Sequence, residues 1–206
     1  MLFKEAIEPS TLELIKSLQP QPYIREFFLV GGTALALYYG HRKSIDVDLF
    51  TNVQFDADVL LEKLINDFSF QLTYTANQTL KRIISGVKVD FITHTYPYIG
   101  PFFHENEFRL TSAQDIIAMK LNAISISGQR SKDFIDIYFA LNHFSIKEMI
   151  SFYAKKYKQS NTVHLIKSLI YFDDVDLEDW PVLIRESHLK WETVKQKIRN
   201  EVLALM

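Results

Sequence analysis

The chain has 206 residues, of which 48% are apolar and 23% are charged, and its formal net charge is −2 at pH 7. This composition is typical of a globular protein and excludes general disorder, while the length predicts one domain or two small ones. The sequence contains no cysteine, which excludes a disulfide scaffold, a thiolate zinc site and a thiol nucleophile. The charge balance gives no overall basic signature for nucleic acid, although it is compatible with a local basic groove.

The sequence indicates neither export nor membrane insertion. Its longest uncharged apolar stretch, 27–40, is too short to span a bilayer and is interrupted by Gly31 and Gly32. Residues 1–10 lack the apolar core of a signal peptide. We therefore expect a cytoplasmic protein that does not contact the membrane.

The N-terminal half alternates between helical and strand-like segments. Apolar or alternating runs predict strands over residues 27–30, 44–50, 70–75, 80–84 and 87–93. Helical patterns predict helices behind a capping box at Ser10–Glu13 and over residues 33–39 and 56–68. Ser85-Gly86 is expected to form a hairpin turn between the last two strands.

The C-terminal half is predicted to be helical. Its helical patterns cover residues 115–127, 132–142, 146–157, 163–171 and 192–205. The change of character near 104–114 predicts an α/β domain over 1–110 and a helical domain over 111–206. The acidic run 173–179 is expected to be a solvated loop. The lysines 155, 156, 158 and 167 are interpreted as a solvated helix face, with an RNA backbone contact as the alternative.

The segment Leu29–Thr51 carries the clearest chemistry. A strand ends at Gly31-Gly32, where the absence of Cβ lets the backbone approach a ligand closely. The helix that follows offers free N–H groups and its dipole to a phosphate. The chain then returns as a strand with Asp46 and Asp48 on one face, since residues i and i+2 point the same way.

A third carboxylate, Asp90, lies between Val89 and Phe91 on another predicted strand. Carboxylates on one face repel each other, and Mg²⁺ or Mn²⁺ would remove that repulsion while bridging to substrate phosphates. Three acids beside a phosphate-binding helix start suit two-metal phosphoryl or nucleotidyl transfer. The alternatives are a solvated strand face for Asp46 and Asp48, a solvated hairpin position for Asp90, and a simple turn at the glycines.

These three elements resemble the signature of the nucleotidyltransferase superfamily of DNA polymerase β type. The matching motifs are Val30-Gly31-Gly32, Ile45-Asp46-Val47-Asp48-Leu49 and Val89-Asp90-Phe91. The segments GGTALAL, HRKSIDVDLF and DIIAMKLNAISISGQRSKDFIDIYFAL also resemble the AbiEii/AbiGii-type toxin nucleotidyltransferases of bacterial abortive-infection and toxin–antitoxin systems. This second resemblance covers about residues 25–142.

The resemblance implies an α+β protein, in which a nucleotidyltransferase fold with a small mixed sheet flanked by helices is followed by a helical C-terminal domain. It implies a nucleoside triphosphate (NTP) as substrate, tRNA or another RNA as acceptor, and a cognate antitoxin as partner. Asp46, Asp48 and Asp90 would then hold Mg²⁺ or Mn²⁺, and Gly31, Gly32 and Thr33 would cradle phosphates. Arg42 and Ser44 occupy further matching positions; Arg42 is expected to contact either substrate or other parts of the protein.

The helical half contributes a second set of candidate residues. Asp133 and Asp136 are three positions apart on a largely apolar helix, so they share one face directed at a cleft or a cationic partner. Lys120 could add charge to a triphosphate or position an acid, and Arg130 and Lys132 could meet phosphates. The structural alternative is that the two aspartates pair with these cations and hold the two halves together.

The combined interpretation is metal-dependent transfer of a nucleoside monophosphate from an NTP to a hydroxyl, with release of pyrophosphate. Asp46, Asp48, Asp90 and Lys120 are the expected catalytic residues. The expected nucleotide contacts are Gly31, Gly32, Thr33, Arg42, Ser44, Lys120, Lys132, Asp133 and Asp136. The alternatives are an enzyme acting on a small molecule or protein and a non-catalytic nucleotide-binding module.

Overall fold

The computed structural model describes residues 1–68, 70–76 and 78–205, and does not describe the side chains at 70–73 and 75. Within this part, the strands form one seven-stranded mixed sheet of order β3-β4-β5-β2-β1-β7-β6. β2 pairs in parallel with β5, and β1 with β7, whereas the other pairs are antiparallel. The strands are β1 Phe28–Val30, β2 Val47–Thr51, β3 Phe70–Ala76, β4 Thr79–Ile84, β5 Val87–Thr93, β6 Phe103–Glu105 and β7 Phe108–Leu110.

Helices cover the sheet and form the C-terminal part of the chain. They are α1 Pro9–Leu18, α2 Gly31–Tyr39, α3 Ala57–Asp67, α4 Ala113–Ile126, α5 Ser131–Ala140, α6 Ile146–Tyr157, α7 Val163–Leu169 and α8 Trp191–Leu203. α1 contacts β5, α3 contacts β3 and β4, and α2 contacts both α4 and α5. α4 in turn packs on α5, α6 and α7. The predicted α+β class with a mixed sheet is confirmed.

The first helix and the second strand begin at other residues than the sequence patterns predicted. The first helix begins at Pro9 with Glu8 as its N-cap, and no described side chain caps it, so the capping box at Ser10–Glu13 is wrong. Pro9 sets the start instead, because its fixed φ suits the first helical position. The second strand begins only at Val47 instead of at residue 44, and Ile45, an apolar residue of the predicted alternating run, is 59% exposed. Residues 44–46 form a connection outside the sheet, which side-chain hydrogen bonds hold in place.

The region between the predicted domains contains two strands that the sequence patterns did not indicate. Leu110 of β7 pairs in parallel with Leu29 of β1, and β6 extends the sheet beyond it. One continuous hydrophobic cluster contains buried side chains of both the sheet and the C-terminal helices. Apolar packing therefore continues across residue 110, and the division into two domains at that residue stays a prediction.

One lysine of the presumed solvated cluster is buried. Lys156 is 1% exposed, and its Nζ lies 2.8 Å from Oδ1 of the fully buried Asp115 and donates to the carbonyl of Pro97. Asp115 also accepts hydrogen bonds from the backbone of Ile99 and Gly100. Lys156 therefore belongs to neither a solvated face nor an RNA-binding one. Among the described helices, none has the length and apolar character that crossing a membrane requires.

Candidate active site

The centre of the site is a pair of carboxylates on adjacent strands. Asp48 of β2 and Asp90 of β5 are direct partners in the parallel register, and Val30, the last residue of β1, is opposite Asp48 on the other side. The two acids therefore lie side by side at the start of α2. The sequence placed both on strands but could not give this pairing.

Gly31 brings the start of α2 against the carboxylate of Asp48. Its φ is +71°, a conformation that glycine adopts without a steric penalty. A Cβ at this position would collide with Oδ2 of Asp48. Gly32 meets a similar limit, because a Cβ there would collide with Nη2 of Arg42. The close approach that the two glycines permit is to the side chains of Asp48 and Arg42, and the predicted approach to a ligand stays a prediction.

The environment of the pair disfavours two negative charges. Burial, together with the neighbouring charge of Asp90, raises the pKa of Asp48 to about 6. Asp90 is 5% exposed, and its Oδ2 lies 3.2 Å from Nζ of Lys81. Its Oδ1 is buried without a hydrogen-bond partner among the described residues. An unsatisfied buried acceptor is costly, which makes this oxygen suitable for a ligand or a cation.

The carboxylate of Asp46 does not lie beside those of Asp48 and Asp90. It is exposed on the connection before β2, and its charge still contributes to the raised pKa of Asp48. Among the described residues, no three His, Asp or Glu side chains are grouped closely enough to hold a metal ion. The carboxylates that are brought together are thus Asp48 and Asp90, with Asp46 at the rim.

The hydroxyls of Thr33 and Ser44 hold this connection in place. Thr33 Oγ1 donates to the backbone carbonyl of Asp46 and lies 2.8 Å from Ser44 Oγ. Both hydroxyls are therefore engaged within the protein. The groups of this region that suit phosphate are the N-terminal N–H groups of α2, which no described side chain caps.

These residues line one cleft of about 590 Å³. Its walls carry six cationic side chains against four carboxylates, although the chain as a whole is net negative. The carboxylates are Asp46, Asp48, Asp90 and Asp179. The cations are Arg42, Lys43, Lys81, Lys88, Arg130 and Lys132. The cleft thus combines an acidic centre with a cationic surround.

A fully buried ion cluster lies behind the cleft and joins the two halves of the chain. Asp136 of α5 accepts hydrogen bonds from Arg42 Nε at 2.7 Å and Nη2 at 3.0 Å. His41 Nε2 lies 2.9 Å and Lys120 Nζ 2.8 Å from the same carboxylate. Lys120 also donates to Asp133 at 2.6 Å. The aspartates of α5 therefore face protein cations. Lys120 is a partner that the structural alternative named, whereas Arg42 and His41 are not.

The protonation of this cluster follows from its charges. Burial alone would raise the pKa of Asp136, but Arg42 and Lys120 outweigh it and hold the pKa well below its usual value. Burial lowers the pKa of Lys120, and the two aspartates reverse that effect and raise it. Burial lowers the pKa of His41 despite its hydrogen bond to Asp136. A neutral His41 donates through Nε2, so Asp136 and the cations around it stay charged at pH 7.

Residues 176–185, here called the strap, form a wall of the cleft that the sequence analysis missed. Its start is fixed by the hydrogen bond from the N–H of Asp176 to the carbonyl of Gln129 at 2.8 Å. Its end is fixed by the N–H of Lys43, which donates to Val182 at 2.8 Å, and by the N–H of Ile184, which donates to the carbonyl of His41 at 2.9 Å. The strap has no periodic pattern, so it carried no sequence signal.

Three further cleft cations were also missed or only partly recognised. Lys132, a predicted phosphate contact, lies 2.6 Å from Asp179 of the strap. Lys88 precedes Asp90 by two residues on β5, and Lys81 is the direct partner of Asp90 on β4. The period of two along β5 was a signal for Lys88, because it places Lys88 on the face of Asp90.

Comparison with known proteins identifies the family. The family described as nucleotidyl transferase AbiEii toxin, type IV toxin–antitoxin system, matches residues 13–203. The chain belongs to this family. The AbiEii match extends past the region of the sequence resemblance, so it also includes the strap and α8. Membership confirms the resemblance stated from the motifs and makes the protein a nucleotidyltransferase.

This AbiEii protein has a relative by sequence and is similar in fold to solved structures. An uncharacterized protein of Aquifex aeolicus, aq_aa25, is 31% identical over 183 residues, covering 86% of each chain. JHP933 of Helicobacter pylori has the same fold, with a TM-score of 0.57 at 16% identity over 97% of this chain and 93% of that one. MenT4, a nucleotidyltransferase toxin of Mycobacterium tuberculosis, gives 0.56 at 14% identity over 95% and 84%.

Proposed function

We propose that this AbiEii-family protein transfers a nucleoside monophosphate from an NTP to a hydroxyl of RNA, as the toxin of a toxin–antitoxin pair. The observation that carries the proposal is the Asp48–Asp90 pair at the start of α2, inside a cleft with a cationic surround. This arrangement offers places for a triphosphate and for an activated hydroxyl side by side. A cytoplasmic location and an antitoxin partner are part of the same proposal.

The reaction balances without further reagents. The acceptor oxygen forms a bond to the α-phosphorus, and the bond between that phosphorus and the bridging oxygen of the β-phosphate breaks. Pyrophosphate leaves with the electron pair of the broken bond, and the acceptor hydroxyl loses its proton. We assign that proton to Oδ1 of Asp90, which is buried and lacks a partner among the described residues.

The remaining cleft residues bind and orient. The free N–H groups at Gly31 and Gly32 and the positive end of the α2 dipole face the phosphates. Lys43 and Lys132 supply positive charge at the cleft wall. Arg42 has its guanidinium fixed by Asp136, so it presents its charge to the cleft without reorganisation.

The paired acids also fit a divalent cation. Asp48 and Asp90 would hold Mg²⁺ or Mn²⁺, with Asp46 turning in from the rim; such ions need only one or two carboxylates besides phosphate oxygens and water. A divalent cation would offset the burial and the charge repulsion that raise the pKa of Asp48. When bound, the metal would polarise the phosphate and lower the pKa of the acceptor hydroxyl.

The charge of the cleft supports a polyanionic acceptor. An enzyme for cationic small molecules would need an acidic pocket, whereas cations outnumber carboxylates here. Salt-dependent RNA binding is the expected consequence, because phosphate contacts release counterions.

A labelling experiment tests the proposal. The protein is incubated with each α-labelled NTP, Mg²⁺ or Mn²⁺, and in turn total RNA, a protein extract and a small-molecule extract. Asp48→Asn removes one charge of the pair, and Asp58→Asn removes an exposed charge on α3 as the matched control. Label in RNA with the unaltered protein and Asp58→Asn, but not with Asp48→Asn, is expected. Label in protein or small molecules would mean that the acceptor is not RNA. If the unaltered protein neither transfers label nor binds NTP, the proposal is overturned.

A further inference from the structure

A second, apolar cavity adjoins the catalytic cleft. It has a volume of about 400 Å³, and its lining includes Phe50, His94, Met119 and Tyr157. Ile126, at the end of α4, also faces it and is 77% exposed. Mainly apolar cavities of this size with a few polar groups are typical of small-ligand sites. We call this cavity the apolar groove.

The groove and the cleft meet at Arg130, which lines both. The side chain of Arg130 is 63% exposed, and its nearest charged contact is Asp133 Oδ2 at 3.7 Å. It is thus available to an anion at the junction. A ligand with an anionic part in the cleft and an apolar part in the groove would pass this residue.

The strand geometry gives the distance between the two parts of such a ligand. Phe50 follows Asp48 by two residues on β2, so both side chains point to the same face, about 7 Å apart along the strand. A phosphate at Asp48 and a flat ring at Phe50 would therefore be separated by roughly the length of one sugar. This is the arrangement within a single nucleotide.

The groove walls suit a nucleobase in particular. The rings of Phe50 and His94 lie 5.9 Å apart at 35°, and His94 contacts Tyr157 edge-on. Burial lowers the pKa of His94 to about 4, so its ring is neutral at pH 7. Asn122 and Gln129 also line the groove, and their amides can both donate to and accept from a base edge.

We propose that the apolar groove binds the nucleobase of the incoming nucleoside triphosphate, with its phosphates in the catalytic cleft. The inference rests on the proposed function, because it needs a triphosphate at Asp48 and Asp90. It assigns to Phe50, His94 and Met119 the recognition of the base, and to Asn122 and Gln129 the choice among bases. None of these residues was singled out by the motifs.

Calorimetric titrations of the full chain with each NTP and with inorganic tripolyphosphate, both with Mg²⁺, test the inference. Phe50→Leu keeps apolar bulk but removes the flat ring, and Ala123→Trp fills the groove from α4. Val59→Trp adds the same ring at an exposed position of α3 and is the matched control. Unfolding curves check that each variant is folded.

The unaltered protein and Val59→Trp should bind the preferred NTP about tenfold or more tightly than tripolyphosphate, since one stacked base contributes on that order. In Phe50→Leu and Ala123→Trp that advantage should fall to nearly nothing, with unchanged affinity for tripolyphosphate. NTP affinity unaltered in both variants would overturn the inference. If they bind NTP normally but no longer label RNA, the groove holds the acceptor instead, which also overturns it. Failure of the unaltered protein to bind either ligand would instead refute the proposed function.

Discussion

Replacing Asp136 by asparagine should cost the protein about 3–5 kcal/mol of unfolding free energy, which is the usual loss when one partner of a buried ion pair is removed. Asp136 is fully buried and accepts close contacts from Arg42, Lys120 and His41. Asparagine has the same shape but no charge, and its amide NH2 group would face the N–H donors that surround Asp136. Arg42 then loses its carboxylate entirely, whereas Lys120 keeps Asp133.

The pH dependence of this loss has a definite sign. The pKa of Asp136 lies well below the ordinary value of 3.8. Its stabilising contribution is therefore fully present above that ordinary value and disappears as the pH falls through the lower pKa of the folded state. The difference between the unaltered protein and Asp136→Asn should stay constant from pH 7 to about 4 and close only in stronger acid.

Urea unfolding followed by circular dichroism measures both effects. Asp179→Asn is the control, because it removes an aspartate from an ion pair at which the carboxylate is 69% exposed, and surface pairs contribute about 1 kcal/mol at most. A loss for Asp136→Asn no larger than the control loss would refute the reasoning. So would a difference between the proteins that already vanishes near pH 6.

Three other predictions follow from the site. Asp48→Asn should raise the free energy of unfolding at pH 7. The pKa of Asp48 is raised to about 6, so ionisation of this carboxylate lowers the stability of the native state as the pH rises through that value. The advantage of asparagine over aspartate should therefore fade as the pH falls towards 4. Gly31→Ala should destabilise more than Gly86→Ala, since both have positive φ but a Cβ meets Asp48 only at Gly31; Gly86→Ala should cost about 1–2 kcal/mol. Asp179→Asn should release Lys132 and lower the Kd for NTP by up to about fivefold.

Each of these has a clear contrary result. Equal stability of Asp48→Asn and the unaltered protein at pH 7, in urea titrations without metal, would contradict the cost assigned to the paired acids. Equal losses for the two glycine variants would mean that the collision at Gly31 is relieved easily. An unchanged Kd for Asp179→Asn would show that Lys132 does not reach the triphosphate.

The strand faces that carry Asp48 and Asp90 could be predicted because the signal for them is local. A period of two along a strand fixes which face a side chain occupies, and Asp48 and Asp90 are each flanked by apolar residues that must point to the core. Their pairing is a long-range property, since it depends on the parallel register of β2 and β5. The sequence therefore indicated the faces of the strands but not which acids are neighbours.

The missed features share the absence of a local pattern. β6 and β7 have three residues each, too few for a period to be recognised, and they exist because β7 can pair with β1. The burial of Lys156 depends on Asp115, which is 41 residues away in the chain. The aspartates of α5 were correctly placed on one face, but which cations they meet is decided by how α5 packs against α2 and α4.

The strap has a consequence for how the cleft can move. It runs from the junction before α5 to the connection after α2, and backbone hydrogen bonds at Gln129, Lys43 and His41 fasten both ends. The strap therefore links α5 to the connection after α2, and these two walls of the cleft cannot move apart unless the hydrogen bonds at one end of the strap break. We therefore expect substrate to enter and leave the cleft on the side that these hydrogen bonds do not fasten.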